Sequence, residues 1–152
     1  MNERYIRQTM IPEIGEAGQE KLKNAKVLIV GIGGLGSPIS LYLTAAGVGQ
    51  IGLIDDDIVS KSNLQRQILY TEAEIGQSKV ECACRRLSAL NSSTRFDTYP
   101  NRFTPDNANR LVSTYDIIVD GCDNAATRYL IDDVCFRFKK PYVYGAISEF
   151  RG

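Results

Sequence analysis

The sequence predicts an α/β protein with a Rossmann-like, doubly wound and mainly parallel sheet that carries helices on both faces. Short apolar runs of strand length alternate along the chain with segments whose apolar residues recur at helical spacing. A glycine-rich turn joins the first run to the first such helix. No repeat, low-complexity tract or linker divides the 152 residues, a length that one domain accommodates. We therefore expect one domain over residues 1–152, with ligands at the carboxyl ends of its strands.

Five apolar runs are predicted to form the strands: Val27–Val30, Ile51–Ile54, Phe96–Tyr99, Ile117–Val119 and Tyr142–Tyr144. The helices between them are predicted along a stripe of Leu35, Ile39, Leu43 and Ala46, along a stripe of Val80, Cys84, Leu87 and Leu90, over Asn107–Ser113 and over Ala125–Phe138. Two stretches are polar and carry no clear periodicity. One precedes the first strand, and the other runs from Asp55 to Ser78.

The composition excludes several classes of function. Eighteen basic and eighteen acidic residues cancel, so no net field favours nucleic acid or a membrane surface, and we expect neither as a partner. The apolar runs are too short to span a bilayer. The four cysteines form no CxxC pair, which predicts reduced thiols and a cytoplasmic location. The chain contains no histidine, the commonest general base and metal ligand.

A G-x-G-x-x-G motif follows the first predicted strand, with glycines at Gly31, Gly33, Gly34 and Gly36. At the start of a helix, such glycines let backbone N–H groups approach a phosphate chain closely. Asp55 ends the second strand, where a carboxylate can accept hydrogen bonds from ribose hydroxyls. The alternative is that the glycines only permit close packing. The motif indicates adenosine and phosphates, and it fits NAD as well as ATP.

The polar stretch after the second strand contains three residues that share a face in a helical turn, Asn63, Arg66 and Gln67. A solvated turn is the alternative interpretation. Ser78 is predicted to be a helix N-cap, which places Lys79 in the first turn, where its charge opposes the helix dipole. That position predicts a nearby anion.

Asp123 follows the fourth predicted strand at the edge of the sheet where ligands bind. Its side chain could cap the helix from Ala125, or it could hold Mg²⁺ on a polyphosphate. Two cations and a carboxylate beside a glycine loop exceed what a dinucleotide needs. They suit a triphosphate better.

Seven segments together resemble the ThiF/MoeB/HesA family, which is related to the ubiquitin-activating enzymes. They are Arg4–Gln8, Gly31–Gly36, Ala46–Gly49, Asp55–Asp57, Ser62–Gln67, Gly76–Lys79 and Asp120–Asn124. The resemblance implies adenylation of the C-terminal glycine of a ubiquitin-like sulfur-carrier protein, with ATP and Mg²⁺. It also implies a homodimer and an adenylation domain over residues 1–152.

The resemblance also assigns roles to single residues. The backbone at Gly34 approaches the phosphates, Asp55 binds ribose, and Asp123 is the magnesium-linked carboxylate. Asn63, Arg66 and Lys79 surround the triphosphate, while Arg7 reaches into the partner subunit's site. Gln67 and the other loop glycines are expected to line the nucleotide site.

The chain departs from the family's pattern in two respects. Family members continue beyond this length, with a sheet that grips the carrier and often two CxxC pairs that hold zinc. The resemblance therefore implies a chain truncated at its C-terminal end, with zinc only in the missing part. Cys122 is expected to be a buried small residue beside the site and not a nucleophile.

Two further points concern pathway and rival functions. Asp55–Asp57 and Arg66–Tyr70 resemble the thiamin-pathway enzyme that acts on ThiS somewhat more than the molybdopterin-pathway enzyme that acts on MoaD. An NAD-dependent oxidoreductase and a non-catalytic family subunit are the alternatives.

Overall fold

A computed structural model describes residues 3–152 and contains a five-stranded sheet in the order β3-β2-β1-β4-β5. Every neighbouring pair of strands is parallel. The strands are β1 (Lys26–Val30), β2 (Gln50–Ile54), β3 (Arg95–Tyr99), β4 (Ile117–Asp120) and β5 (Tyr142–Tyr144). The strand order reverses between β1 and β4, as in a doubly wound sheet. The predicted fold class is confirmed.

Within the described residues, six α-helices accompany the sheet: α1 (Ile6–Thr9), α2 (Gly15–Asn24), α3 (Gly36–Ala46), α4 (Lys79–Leu90), α5 (Pro105–Thr114) and α6 (Ala125–Phe138). Short 3₁₀ turns lie at Glu3–Tyr5, Lys61–Asn63 and Glu72–Glu74. The interpretation of the N-terminal stretch as lacking periodic structure was wrong, because it contains α1 and α2. α2 buries a polar residue, Gln19, whose amide bonds to Gln8 and to the carbonyl of Ala46. An apolar pattern could not reveal that contact.

The three central strands, β1, β2 and β4, are buried on both faces. Val27 and Ile29 of β1 point into a core that includes residues of α2, α3 and α4. Leu28 and Val30 point into a second core, formed with α5 and α6. Coverage of both faces explains why these three central strands are mainly continuous apolar runs and not alternating ones.

The buried face of α4 differs from the predicted stripe. Val80 and Leu87 are buried as predicted, but Leu90 is 37% exposed and Cys84 is only half-buried. Cys82 is buried instead. α4 packs against both the sheet and α3, so its buried surface is wider than one stripe and extends to the side that carries Cys82.

The four cysteines are unpaired. Within residues 3–152, no helix combines the length and the apolar character that a membrane crossing requires.

Tyr115 makes a polar contact inside the second core. Its hydroxyl group donates a hydrogen bond to Asp97 Oδ2 (3.0 Å) and lies 3.0 Å from the hydroxyl of Tyr99. Burial is the main reason why the pKa of Tyr115 lies far above its usual value. The ring passes directly over Gly52 in β2, where a Cβ atom would overlap the Tyr115 hydroxyl and lie 2.9 Å from a methyl group of Leu28.

We expect Gly52→Ala to destabilise the fold by about 1–3 kcal/mol, the usual cost of adding a methyl group to a packed core. Urea unfolding measures this change in the free energy of unfolding, with the m-value expected to stay unchanged. Gly145→Ala is the matched control, because a Cβ there meets nothing within 4 Å, and its effect should stay within about 0.5 kcal/mol. Equal stability of the two variants would contradict the predicted overlap.

Candidate functional site

The candidate site lies where the sheet order reverses, at the carboxyl ends of β1 and β4. The loop after β1 and the loop after β4 contact each other through backbone atoms. A Cβ on Gly31 would lie 2.9 Å from the backbone nitrogen of Cys122, and Gly31 has a φ of 86°. A Cβ on Gly36 would collide with the carbonyl oxygen of Gly31. Close backbone packing, the alternative interpretation of the motif, therefore explains why Gly31 and Gly36 are glycines.

Gly33 and Gly34 have a different environment. A Cβ on Gly33 would meet only the side chain of Gln67, with Nε2 at 3.3 Å. The three atoms nearest to a Cβ on Gly34 all belong to the side chain of Arg66, with Cδ at 3.5 Å. The motif therefore divides into two glycines that the backbone packing needs and two whose nearest neighbours are side chains. We call Gly33 and Gly34, with the side chains of Arg66 and Gln67, the cradle.

Asp55 fixes the glycine loop. Its Oδ2 atom accepts a hydrogen bond from the backbone nitrogen of Ile32 (2.8 Å), and its Oδ1 atom accepts one from the backbone nitrogen of Asp57 (2.8 Å). The hydroxyl of Tyr70 donates to the carbonyl oxygen of Ile32 at 2.7 Å. The backbone N–H and C=O groups of Ile32 are thus both hydrogen-bonded, which holds the loop in one conformation.

Tyr70 was not predicted as a site residue. It is 6% exposed, and burial, followed by the charge of Asp55, raises its pKa well above the usual range. The only sequence signal for it is an aromatic residue within a polar stretch.

The helical turn that contains Asn63, Arg66 and Gln67 is present, as predicted. The carbonyl oxygen of Asn63 accepts hydrogen bonds from the backbone nitrogens of Arg66 (3.1 Å) and Gln67 (2.9 Å). Arg66 is exposed, and Asn63 is half-buried. Gln67 is 5% exposed, and its Oε1 atom has no hydrogen-bond partner within residues 3–152. An amide oxygen accepts hydrogen bonds, so a ligand that pairs with it must bring a donor such as a hydroxyl group.

Lys79 is the first residue of α4, as predicted, and the anion that its position required is Asp57. Nζ of Lys79 lies 2.9 Å from Oδ2 of Asp57. The lysine side chain is 3% exposed, whereas the aspartate side chain is 66% exposed. Ser78 occupies the N-cap position, but its side chain makes no capping hydrogen bond. Ser78 therefore occupies the predicted N-cap position, but its side chain does not cap the helix.

Asp123 is exposed, and it makes no hydrogen bond or ion pair with any residue from 3 to 152. The capping alternative for Asp123 is wrong, because the N-cap of α6 is Asn124. The side chain of Asn124 accepts a hydrogen bond from the backbone nitrogen of Thr127 at 2.9 Å. The Asp123 carboxylate is consequently free to meet a cation.

Two residues that were not predicted as site residues, Asp120 and Arg128, hold the loop on which Asp123 lies. Oδ1 of buried Asp120 accepts from the backbone nitrogen of Cys122 (2.8 Å), and its Oδ2 accepts from Nε of Arg128 (2.9 Å). The guanidinium group of Arg128 also donates to the carbonyl oxygen of Cys122 (3.0 Å). The backbone N–H and C=O groups of Cys122 are thus both hydrogen-bonded. Arg128 lies eight residues after Asp120, so no local pattern connects the two.

Cys122 is half-buried, not fully buried as expected. Burial, with a smaller effect of Asp120, raises the pKa of its thiol to about 11. The thiol is therefore protonated at neutral pH, which agrees with the expectation that Cys122 is not a nucleophile.

Carboxylate oxygens of Asp55, Asp56 and Asp57 lie within 4.8 Å of one another. Asp57 is already paired with Lys79, and Asp56 with Arg102 at 2.9 Å. The three aspartates are therefore counter-ions and loop ligands, and they do not displace Asp123 as the candidate for Mg²⁺.

Arg7 is not brought into contact with the cradle by the fold of this chain. It lies exposed on α1, which packs against α2, and it forms no ion pair within the described part of the chain. A role in the partner subunit's site stays a prediction.

Residues 5–152 match the ThiF family. The chain is 48% identical over 150 residues to a "Sulfur carrier protein adenylyltransferase" of Thermus thermophilus, covering 99% of this chain and 55% of that one. It is 49% identical over 149 residues to a "Probable adenylyltransferase/sulfurtransferase MoeZ" of Mycobacterium tuberculosis, covering 98% and 38%. The chain thus spans about half or less of the length of these relatives.

Solved structures extend the comparison to the fold. The Escherichia coli tRNA N6-threonylcarbamoyladenosine dehydratase TcdA superposes with a TM-score of 0.86 at 31% identity, covering 93% of this chain and 59% of that one. Its complex with ATP superposes with a TM-score of 0.85 at 30% identity, covering 91% and 57%. With the family match over nearly the whole length, the chain belongs to the ThiF family.

Proposed function

We propose that this chain binds ATP and adenylates the C-terminal glycine of a ubiquitin-like sulfur-carrier protein. The observation that carries the proposal is the cradle at Gly33 and Gly34, with the Arg66 side chain nearest to one glycine and the Gln67 Nε2 atom nearest to the other. Backbone N–H groups, a guanidinium group and a side-chain amide N–H are all donors, which suit the acceptor oxygens of a polyphosphate chain.

The names of the relatives support this reaction over others that use the same fold. The two relatives near 48% identity are named adenylyltransferases, one of them for sulfur carriers, whereas the tRNA-modifying TcdA is 31% identical. The ATP complex of TcdA supports ATP over NAD as the nucleotide. The carrier's pathway, including the preference for ThiS over MoaD, stays a prediction, as does the cytoplasmic location.

The proposed reaction needs no general base. The carrier's terminal carboxylate oxygen forms a bond to the α-phosphorus of ATP, and the bond from that phosphorus to the bridging oxygen of pyrophosphate breaks. The product is an acyl-adenylate. A carboxylate is a nucleophile without losing a proton, which agrees with a chain that lacks histidine. Catalysis then consists of alignment and of neutralising charge on the leaving group.

The residue roles that we propose combine the geometry of the glycine loop with the membership of the chain in the ThiF family. The backbone at Gly33 and Gly34 would approach the phosphates, with Gly31 and Gly36 shaping the loop. Asp55 would use its remaining lone pairs for the ribose. The residues that would contact the polyphosphate are Asn63, Arg66, Gln67, Lys79 and, from the partner subunit of a homodimer, Arg7.

Asp123 is the residue that would hold Mg²⁺. It is exposed and lacks a partner within residues 3–152, on a loop anchored at both ends, which fits a hard cation that prefers oxygen ligands. A bound Mg²⁺ would supply positive charge to the leaving pyrophosphate.

The first functional prediction is that the chain binds ATP with Mg²⁺ more tightly than NAD, because Arg66 and Lys79 provide more positive charge than a pyrophosphate bridge requires. Calorimetric titration with both nucleotides measures this. Tighter binding of NAD would refute the proposal and favour an oxidoreductase.

The second prediction separates Asp123 from its neighbour Asn124. Asp123→Ala should lower kcat of ATP–pyrophosphate exchange with the sulfur carrier by about a hundredfold or more, while the free energy of unfolding stays unchanged. Asn124→Ala should instead lose the N-cap and about 1 kcal/mol of stability. Near-normal exchange by Asp123→Ala would remove Asp123 from the reaction. Absence of exchange in the wild type would favour a non-catalytic subunit.

The third prediction tests the homodimer. Arg7→Ala and Asp123→Ala chains should each be inactive, and a mixture should recover activity because a mixed dimer has one site with both residues intact. About half of the dimers are mixed and one of their two sites works, so recovery should approach roughly a quarter of the wild-type rate. Wild-type activity of Arg7→Ala alone would end the proposal that Arg7 acts across the dimer.

A further inference from the structure

We propose that Asp57 is an internal counter-ion that pairs with Lys79 until a polyphosphate displaces it. Asp57 thereby lowers the affinity of the site for polyphosphates relative to its affinity for a nucleoside without phosphates. This inference rests on the proposed function, because it takes Lys79 to be a ligand of the triphosphate. It adds a role for a residue that is not itself expected to contact the nucleotide.

The burial of the ion pair is one-sided. The Lys79 side chain is 3% exposed, and the side chain of its partner is 66% exposed. A buried ammonium group needs an anion, because its desolvation is otherwise uncompensated. The anion that Lys79 has lies on the solvent side of the pair. A ligand that arrives from solvent therefore meets Asp57 first and can replace it.

The lysine also keeps hydrogen-bonding capacity for a ligand. An ammonium group has three donors, and within residues 3–152 the Lys79 ammonium donates only to Asp57, at 2.9 Å. A phosphate group offers several acceptor oxygens to the same ammonium group. A phosphate that replaces the Asp57 carboxylate can therefore accept hydrogen bonds from the N–H groups of Lys79 that the ion pair does not use.

The backbone keeps Asp57 next to Lys79. The backbone nitrogen of Lys79 donates to the carbonyl oxygen of Asp57 (3.1 Å), and that of Val59 donates to Gln77 (2.9 Å). The backbone nitrogen of Asp57 is in turn bound by Asp55, which also holds the glycine loop. Release of Lys79 then requires only rotation of the Asp57 side chain, with the backbone of the site unchanged.

The ion pair should affect the binding of polyphosphates but not the binding of a nucleoside without phosphates. The resting pair must be broken before Lys79 contacts a phosphate, so the pair lowers the affinity for polyphosphates. A nucleoside without phosphates does not compete for Lys79. Its affinity should therefore be independent of Asp57.

The test is Asp57→Asn, which keeps the shape of the side chain and removes its charge. We expect the Kd for ATP with Mg²⁺ to fall about fivefold, the upper range for a partly exposed ion pair, and the Kd for adenosine to stay unchanged. The ligand-free Tm should fall while the rise in Tm on adding ATP becomes larger than in the wild type, because the ligand supplies the missing anion.

Asp56→Asn is the matched control. It removes the same charge one residue away, from a carboxylate that pairs with Arg102 and not with Lys79. It should leave the ratio of the ATP and adenosine affinities at the wild-type value. Should Asp57→Asn not fold, Asp57→Ser, which admits water to the ammonium group, should show the same tighter binding of ATP.

The outcomes are distinct. Weaker or unchanged ATP binding by both Asp57 variants would overturn the inference and make Asp57 a residue that positions Lys79. An equal gain from Asp56→Asn would also overturn it, since the effect would then be general electrostatics. If the wild type binds no ATP, the proposed function fails and the inference with it, a result that the wild-type titration alone identifies.

Discussion

The carboxylate of Asp55 is the contact on which the arrangement of the site depends. One oxygen holds the backbone nitrogen of Ile32 in the glycine loop, and the other holds the backbone nitrogen of Asp57. The parallel pairing of β1 with β2 brings the end of β2 beside that loop. Through Asp57 the same carboxylate is connected to Lys79, the buried cation of α4. A single side chain at a strand end therefore joins the backbone that is proposed to bind phosphates to the charge expected to stabilise them.

This arrangement leaves limited freedom for Asp55 as a ribose ligand. Each carboxylate oxygen already accepts one hydrogen bond, and each has a second lone pair. Ribose binding would add to the structural contacts without replacing them. Substitution of Asp55 would then disturb the loop conformation and the ribose contact together, so the two contributions are separable only with a ligand that lacks ribose.

The sequence predicted the sheet well, because apolar runs buried on both faces leave an unambiguous pattern. The bounds of α6 and β5 agree with the structure at both ends, and β2 differs by one residue. α2 was missed because its buried residue, Gln19, is polar and bonds to the carbonyl of Ala46, while Leu22, which packs against the core, is only half-buried. Periodicity reports apolar contacts, and a helix whose buried side chain is polar gives a weak signal.

The site was predictable where one local motif carries its residues, as with the glycine loop and the turn from Asn63 to Gln67. It was not predictable where tertiary structure joins distant positions. Tyr70 reaches Ile32 across 38 residues. The partner of Lys79 could be inferred as an anion from the helix dipole, but its identity as Asp57 depends on backbone pairing between two segments that are 22 residues apart.

The two charged groups proposed to act on the polyphosphate, Asp123 and Lys79, are held in opposite ways. Asp123 has a fixed backbone, since both peptide groups of Cys122 are bonded and Asn124 caps α6, while its carboxylate has no partner within residues 3–152. Lys79 has a buried side chain that is already paired. Preorganised groups need no rearrangement during a reaction, whereas a paired group must first exchange partners. On this basis Asp123 would bind the proposed cation without rearrangement. The cost of reorganisation on ligand binding would fall on Lys79 and its counter-ion.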